Sequence, residues 1–418
     1  MKQIGHTLNL DGHQVYKFLN EAAALLKTEE DIITLIKTPD RELHVELPIA
    51  NDKGEMEIFL GFRVQHNNSR GPSKGGIRFH KNLTIDEVRR QACLMTLKSA
   101  FLDLPFGGSH GGICCDIKTL SSNELERLTR LYMSKIDCVI GPQIDIPGPD
   151  LYADYKVMSW MLDEYSKRHG FQPACVTGKP LELFGSLGME ESGANGVLAV
   201  LDEYSKHKPI KFSGLKVAIN GFGNNGTNLA KVLSEAGCTI VGVSDSTAGV
   251  YDSNGLDLSD LIEHKLVKGS VSGFDKAKQI SKEELLECDC ELLILASIPD
   301  LIDETNAAKI KAQTIIEVAN APITKEADYI LESKGVNIIP DLIASSGELV
   351  VSYFEWIQNI QKFKWDKESI NTELVRILAN ALDEGLAVSA ENNISLRKAC
   401  YVIALRRLEL ATRLRGFQ

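Results

Sequence analysis

The chain has no apolar run long enough to cross a bilayer, and Met1 to Leu10 lack the apolar core of a secretory signal. It is also short of positive charge. The formal net charge of −11 argues against nucleic acid or an anionic membrane as the main partner. Any anionic substrate must therefore be drawn by a local cluster of cations. Cys288-Asp-Cys290 stands without a second Cys/His pair, so no metal is expected, and the nine scattered cysteines read as reduced thiols of a cytoplasmic protein. There is no internal repeat and no low-complexity linker. The 418 residues allow two domains, which are expected to share a cleft with no long tether between them.

Glycine, by contrast, is concentrated. Gly71-Pro-Ser-Lys-Gly-Gly-Ile-Arg-Phe-His80, Leu104-Pro-Phe-Gly-Gly-Ser-His-Gly-Gly-Ile113 and Gly141-Pro-Gln-Ile-Asp-Ile-Pro-Gly-Pro-Asp150 frame Met95-Thr-Leu-Lys98. Paired glycines beside Lys74 and His110 suggest backbone pressed against a small ligand. Two lysines, a histidine and a carboxylate in such surroundings suggest an anion site with acid/base capability.

Periodicity supplies the frame. Residues 13–28 predict an amphipathic helix, and residues 43–47 and 56–64 alternate as the arms of a hairpin. Thr84 with Glu87 reads as a helix-opening capping box, and Ser121 with Glu124 as the start of another helix. Residues 113–117 read as a short strand and 152–168 as a helix. Beyond residue 190 the pattern alternates. Strands are expected at 215–220, 239–245, 291–297, 314–320 and 336–341 with helices between, which predicts an α/β doubly wound parallel sheet. From about Ser346 the chain reads as helical. The expected division is therefore 1–190 for substrate binding and oligomerisation, 191–345 as a Rossmann-type dinucleotide domain, and 346–418 as helices packing back on the first domain and the hinge.

Gly221-Phe-Gly-Asn-Asn-Gly226 follows a predicted strand and opens a predicted helix. In a dinucleotide fingerprint Gly221 makes the tight turn, Gly223 lets backbone approach a pyrophosphate, and Gly226 lets the helix pack on the strand. Asp245 ends the next strand, where a carboxylate accepts from a ribose 2′-OH and repels a 2′-phosphate. NAD is thus favoured over NADP.

These motifs, with Val176-Thr-Gly-Lys-Pro-Leu-Glu-Leu183 and Val350-Val-Ser-Tyr-Phe-Glu-Trp356, resemble the glutamate dehydrogenase family within the Glu/Leu/Phe/Val dehydrogenases. The resemblance runs from about Pro39 to the C-terminus. It implies reversible oxidative deamination of L-glutamate to 2-oxoglutarate and ammonia. It also implies two domains and a homo-hexamer, or a hetero-oligomer with an active paralogue. Carried over by position, Lys74 and Ser352 hold the side-chain carboxylate. Lys98 holds the α-carboxylate, with Met95 lining the same pocket, and Asp145 handles protons at the amine. Ser192, Asn224 and Asn320 join the fingerprint glycines as cofactor contacts.

The sequence also departs from the family. His110 stands where active relatives have the catalytic lysine. An unperturbed histidine titrates at roughly 6.5, so it is a poor fixed cation at neutral pH. Met189 and Asn195 replace common arginines, Ser345 a common Asn, and Glu348 a common Gly, and 317–322 has lost glycines. Two readings follow. One is a glutamate-type dehydrogenase with impaired or altered chemistry. The other is a weak or inactive family member acting as a regulatory, ligand-sensing subunit.

Overall fold

The computed structural model describes residues 13–208 and 210–416. The N-terminal residues read above for a leader lie outside them. The chain forms two compact units. The first comprises residues 1–189, 349–372 and 401–418, and the second 190–348 and 373–400. The C-terminal helices, Gly347–Gln361, Lys367–Asn392 and Leu396–Leu414, are thus shared between the units and do not form one block.

The first unit holds a five-stranded sheet: β1 (Arg41–Ala50), β2 (Met56–Asn67), β3 (Ser73–Phe79), β4 (Gly107–Cys114) and β5 (Asp145–Pro149), in the order β1-β2-β4-β3-β5. β1 and β2 are the expected hairpin, paired antiparallel from Arg41 opposite Gln65 to Ala50 opposite Met56. β3 lies parallel to both β4 and β5. Helices Ser122–Ile136 and Tyr155–His169 bury Leu128, Tyr132, Met133, Met158 and Met161 against Ile77, Phe79 and Ile113 of the sheet. The first of these helices opens with the Ser121–Glu124 capping box, and the second with Asp154 accepting from the Lys156 and Val157 amides. Thr84 accepts from the Glu87 amide to start helix Ile85–Phe101.

Two expectations change here. The strand read at 113–117 is instead 107–114, so His110 lies within a strand. The glycines read as pressed against a ligand are mostly pressed against protein. A Cβ on Gly75 would fall 1.5 Å from the Ser109 carbonyl oxygen, and one on Gly108 2.2 Å from the Thr96 amide. Sheet and helix backbones approach too closely there for any side chain.

The second unit is built on β6 (Lys216–Asn220), β7 (Thr239–Ser244), β8 (Gly249–Tyr251), β9 (Lys278–Ile280), β10 (Leu292–Leu295), β11 (Thr314–Glu317) and β12 (Asn337–Ile339). The order β12-β11-β10-β6-β7-β8-β9 has a parallel core, with β10 and β7 flanking β6. β8 and β9 add an antiparallel edge that periodicity did not reveal, being three residues each. The buried strand runs Leu292–Leu295 and Ile315–Ile316 read as unbroken apolar segments because both of their faces are buried.

Candidate functional site

β3, β4 and β5 deliver the chemistry of the first unit. Lys74 pairs with Gly108 on one side and Ile146 on the other, which places it in the middle of the sheet. It is 3% exposed, yet it makes no hydrogen bond or ion pair among the described residues. A Cβ on Gly148 would fall 2.5 Å from Lys74 Nζ and 3.0 Å from Thr177 Oγ1, so Gly148 leaves room for both. Thr177 Oγ1 is itself buried without a partner. Burial, aided by the Arg63 guanidinium, pushes the Lys74 ammonium down to about 7. The Glu355 carboxylate is committed elsewhere: it takes Lys179 Nζ at 2.5 Å and the Gly178 amide at 2.9 Å. Lys74 is therefore a buried cation with no anion of its own.

Lys98 and Met95 lie in the last turns of helix Ile85–Phe101, Lys98 buried and Met95 half-buried. Ser352 is buried on helix Gly347–Gln361, in the portion that belongs to the first unit.

Asp145, expected at the substrate amine, is placed otherwise. It is fully enclosed, accepting from Arg63 Nε at 2.8 Å, Arg63 Nη2 at 2.5 Å, Ser109 Oγ at 2.7 Å and Gln65 Nε2 at 3.1 Å. Its acceptor capacity is spent on holding β2, β4 and β5 together. The carboxylate that meets His110 is Asp150, with Oδ2 2.9 Å from His110 Nε2. Arg78 donates to the same carboxylate from Nε at 2.9 Å. Arg78 and His110 hold the half-buried Asp150 carboxyl far below the usual carboxylate range. Burial lowers the His110 pKa, and the Asp150 charge only partly offsets this. The ring is therefore neutral at neutral pH. Since an ionised carboxylate only accepts, we assign the ring proton to Nε2. That leaves Nδ1, buried and unpartnered, as a bare lone pair.

Asp150 and Thr177 both lie inside motifs quoted above, but nothing in those motifs distinguishes a free carboxylate or hydroxyl from a bonded one. Arg63, which decides the fate of Asp145, belongs to no glycine-rich motif and carries no local signal.

In the second unit the Gly221–Gly226 loop leaves β6 and opens helix Asn224–Glu235. Gly221 has φ +104°, and a Cβ there would strike the Ala296 carbonyl. A Cβ on Gly226 would fall 1.9 Å from the Gly221 oxygen. Gly223 is exposed with nothing within 4 Å of its Cβ position. It is the N-cap, and no side chain caps the helix. Free N–H groups and an open approach beside Gly223 and Asn224 suit a diphosphate. The residues present thus fit a dinucleotide.

Asp245 is engaged more heavily than expected. Its Oδ1 accepts from the Thr247 amide at 2.9 Å and Thr247 Oγ1 at 2.6 Å, and its Oδ2 from the Val271 amide at 2.7 Å. These bonds hold it well below the usual carboxylate range. The carboxylate organises its own loop, leaving less of it to receive a ribose. Ser192 is fully buried at the start of helix Ser192–His207. Asn320 is half-buried and precedes Ala321, whose φ is +46°. The Ala321 amide donates to Asp341 Oδ2 at 2.8 Å.

No helix among the described residues is long and apolar enough to cross a membrane. Residues 39–167 match the Glu/Leu/Phe/Val dehydrogenase dimerisation domain, and residues 185–416 the Glutamate/Leucine/Phenylalanine/Valine dehydrogenase family. A glutamate dehydrogenase of Thermotoga maritima is 43% identical, over 95% of this chain and 96% of the relative. An NAD-specific glutamate dehydrogenase of Staphylococcus aureus is 42% identical, over 96% of each. Among solved structures, the hetero-hexameric glutamate dehydrogenase of Thermus thermophilus in its Leu-bound form superposes with TM-score 0.93 at 35% identity, over 99% of both chains. With an open dinucleotide loop in one unit and a buried, unpaired lysine in the other, the chain belongs to the Glu/Leu/Phe/Val dehydrogenase family as a glutamate-dehydrogenase-like oxidoreductase using a nicotinamide dinucleotide.

Proposed function

We propose that the protein catalyses NAD-linked oxidative deamination of L-glutamate to 2-oxoglutarate and ammonia in the cytoplasm, with a chemical step slowed by His110. The observation that carries the substrate is Lys74, a buried ammonium with no carboxylate of its own. An aliphatic side chain would leave it uncompensated, whereas a side-chain carboxylate supplies the missing partner. Thr177 adds a hydroxyl donor near it at Gly148, and by the family resemblance Ser352 joins it and Lys98 takes the α-carboxylate. NAD is the dinucleotide of the Staphylococcus aureus relative's name, and the Asp245 charge disfavours a 2′-phosphate.

The cofactor, when bound, accepts the substrate's hydride. The remaining work falls to the chain's own residues. His110 Nδ1 offers a lone pair that takes a proton from the substrate ammonium or from water, while Asp150 and Arg78 fix the ring through Nε2. What this arrangement lacks is a permanent positive charge to stabilise oxyanion character at the reacting carbon, and such electrostatic stabilisation usually contributes more to the rate than proton transfer does.

That deficit favours a second reading, a weakly active subunit that binds ligand and regulates an active paralogue. The Thermus thermophilus relative is described as a hetero-hexamer, so the family tolerates mixed assemblies. Exposed Met56, Ile58 and Leu60 alternate along β2, which suits burial in a hexamer. The test is NADH formation by the purified protein across amino acids, with the native mass measured alone and with the paralogue. Glutamate should be the preferred substrate, at a low rate. A preference for leucine or valine would overturn the substrate reading.

A further inference from the structure

Glu348 stands at the second position of helix Gly347–Gln361, exposed, in the portion that belongs to the second unit. Its Oε1 accepts from Asn225 Nδ2 at 3.1 Å. Asn225 is the second residue of helix Asn224–Glu235, directly behind the glycine loop. The same oxygen lies 3.3 Å from where a Cβ on Gly193 would sit, so the bare backbone at 193 gives the carboxylate its place. Gly193 is in the first turn of helix Ser192–His207. The carboxylate thus rests at the opening turns of two helices, and neither has a side-chain cap. Such ends carry the positive end of the helix dipole, which attracts an anion.

We infer that Glu348 is an affinity-setting residue of the dinucleotide site. Its resident carboxylate competes with the dinucleotide's diphosphate for the positive helix ends and weakens binding. The inference rests on the reading of Gly221–Gly226 as a dinucleotide loop. A diphosphate approaching Gly223 meets a like charge that must turn away or be tolerated, and repulsion of this kind sets affinity as surely as a missing contact does. Because Glu348 is exposed, turning away is feasible, and the effect is a weakened site that still binds.

The test compares wild type with Glu348→Gln, which keeps a hydrogen-bond acceptor for Asn225 and loses the charge, and with Glu348→Gly, which removes both. Affinity is read by NADH fluorescence titration and NAD calorimetry at about 0.02 M and about 0.3 M salt, with melting temperatures alongside. Both variants should bind at least about tenfold tighter than wild type at low salt. The gap should narrow at high salt, because an exposed charge is screened over a Debye length of about 8–10 Å at moderate ionic strength. Equal affinities, with wild-type binding measurable, would overturn the inference and leave the dinucleotide reading standing. Tighter binding by Glu348→Gly alone would show that bulk acts and charge does not, which also overturns it. Absence of binding by all three proteins would remove the dinucleotide reading itself, and the inference with it.

Discussion

Binding of 2-oxoglutarate should take up a proton, and Lys74 is the reason. In the free protein burial holds its ammonium at about 7. A ligand carboxylate placed beside it favours the charged form and raises that value by two units or more, as an opposite charge at contact does. The sign follows directly. Below pH about 7 Lys74 is already charged and binding needs no proton. Above it, the charged share falls about tenfold with each pH unit, and the complex must recover the charge. At pH 8 at least about eight-tenths of a proton should be taken up per ligand bound, and affinity should be at least about tenfold below its acid limit. Between pH 7 and pH 9 the loss should reach at least about twenty-fivefold, or about 1.9 kcal/mol. 2-Oxoglutarate suits this test because it has no amine titrating in the same range. Calorimetry at pH 8 in buffers of different ionisation enthalpy gives the proton count as the slope of observed enthalpy against buffer enthalpy. Lys74→Met, similar in length and apolar, should abolish the slope and weaken binding at pH 6.5. A zero slope with a flat dissociation constant from pH 6.5 to 9 would refute the reasoning, as would a slope that survives Lys74→Met.

Further expectations concern the neighbouring groups. His110→Lys restores a cation at the reacting centre. Glutamate turnover at pH 8 should rise at least about tenfold, equal to about 1.4 kcal/mol of transition-state stabilisation, and an unchanged rate would place the deficit elsewhere, among Met189, Asn195 and Ser345. Asp145→Ala strands Arg63 in a closed interior and should cost about 3–5 kcal/mol in denaturant melts, whereas Asp150→Asn should leave stability nearly intact and alter the pH profile of turnover; the opposite pattern would restore Asp145 to the active site. Ala321→Gly relieves a left-handed residue whose Cβ crowds its own carbonyl, and should raise stability by about 0.5–1 kcal/mol. A lowered melting temperature in that variant would show that the loop needs the side chain's restriction.

Some of this was legible in the residues alone, because its causes are local. The Ser121–Glu124 box, the β1–β2 hairpin and the Gly221–Gly226 turn each depend on backbone geometry within a few positions, and they form where composition and period place them. The alternation of strand and helix beyond residue 190 announces a parallel core for the same reason. What a carboxylate or glycine does once the chain closes is a different matter. Asp145 and Asp150 are five residues apart in one motif and equally suited to proton transfer. Arg63, brought in by the pairing of β2 with β4, enclosed the first, while His110 and Arg78 took the second. Gly75 and Gly108 look like ligand-facing glycines, yet they answer to backbone from distant segments. Glu348 meets Asn225 across 123 positions of sequence. Pattern fixes which elements form, because a helix turn or strand pleat needs only its neighbours. Which polar groups are left unsatisfied depends on long-range packing that consumes most of them, and only the tertiary structure decides which remain, with Lys74, Thr177 and His110 Nδ1 among them.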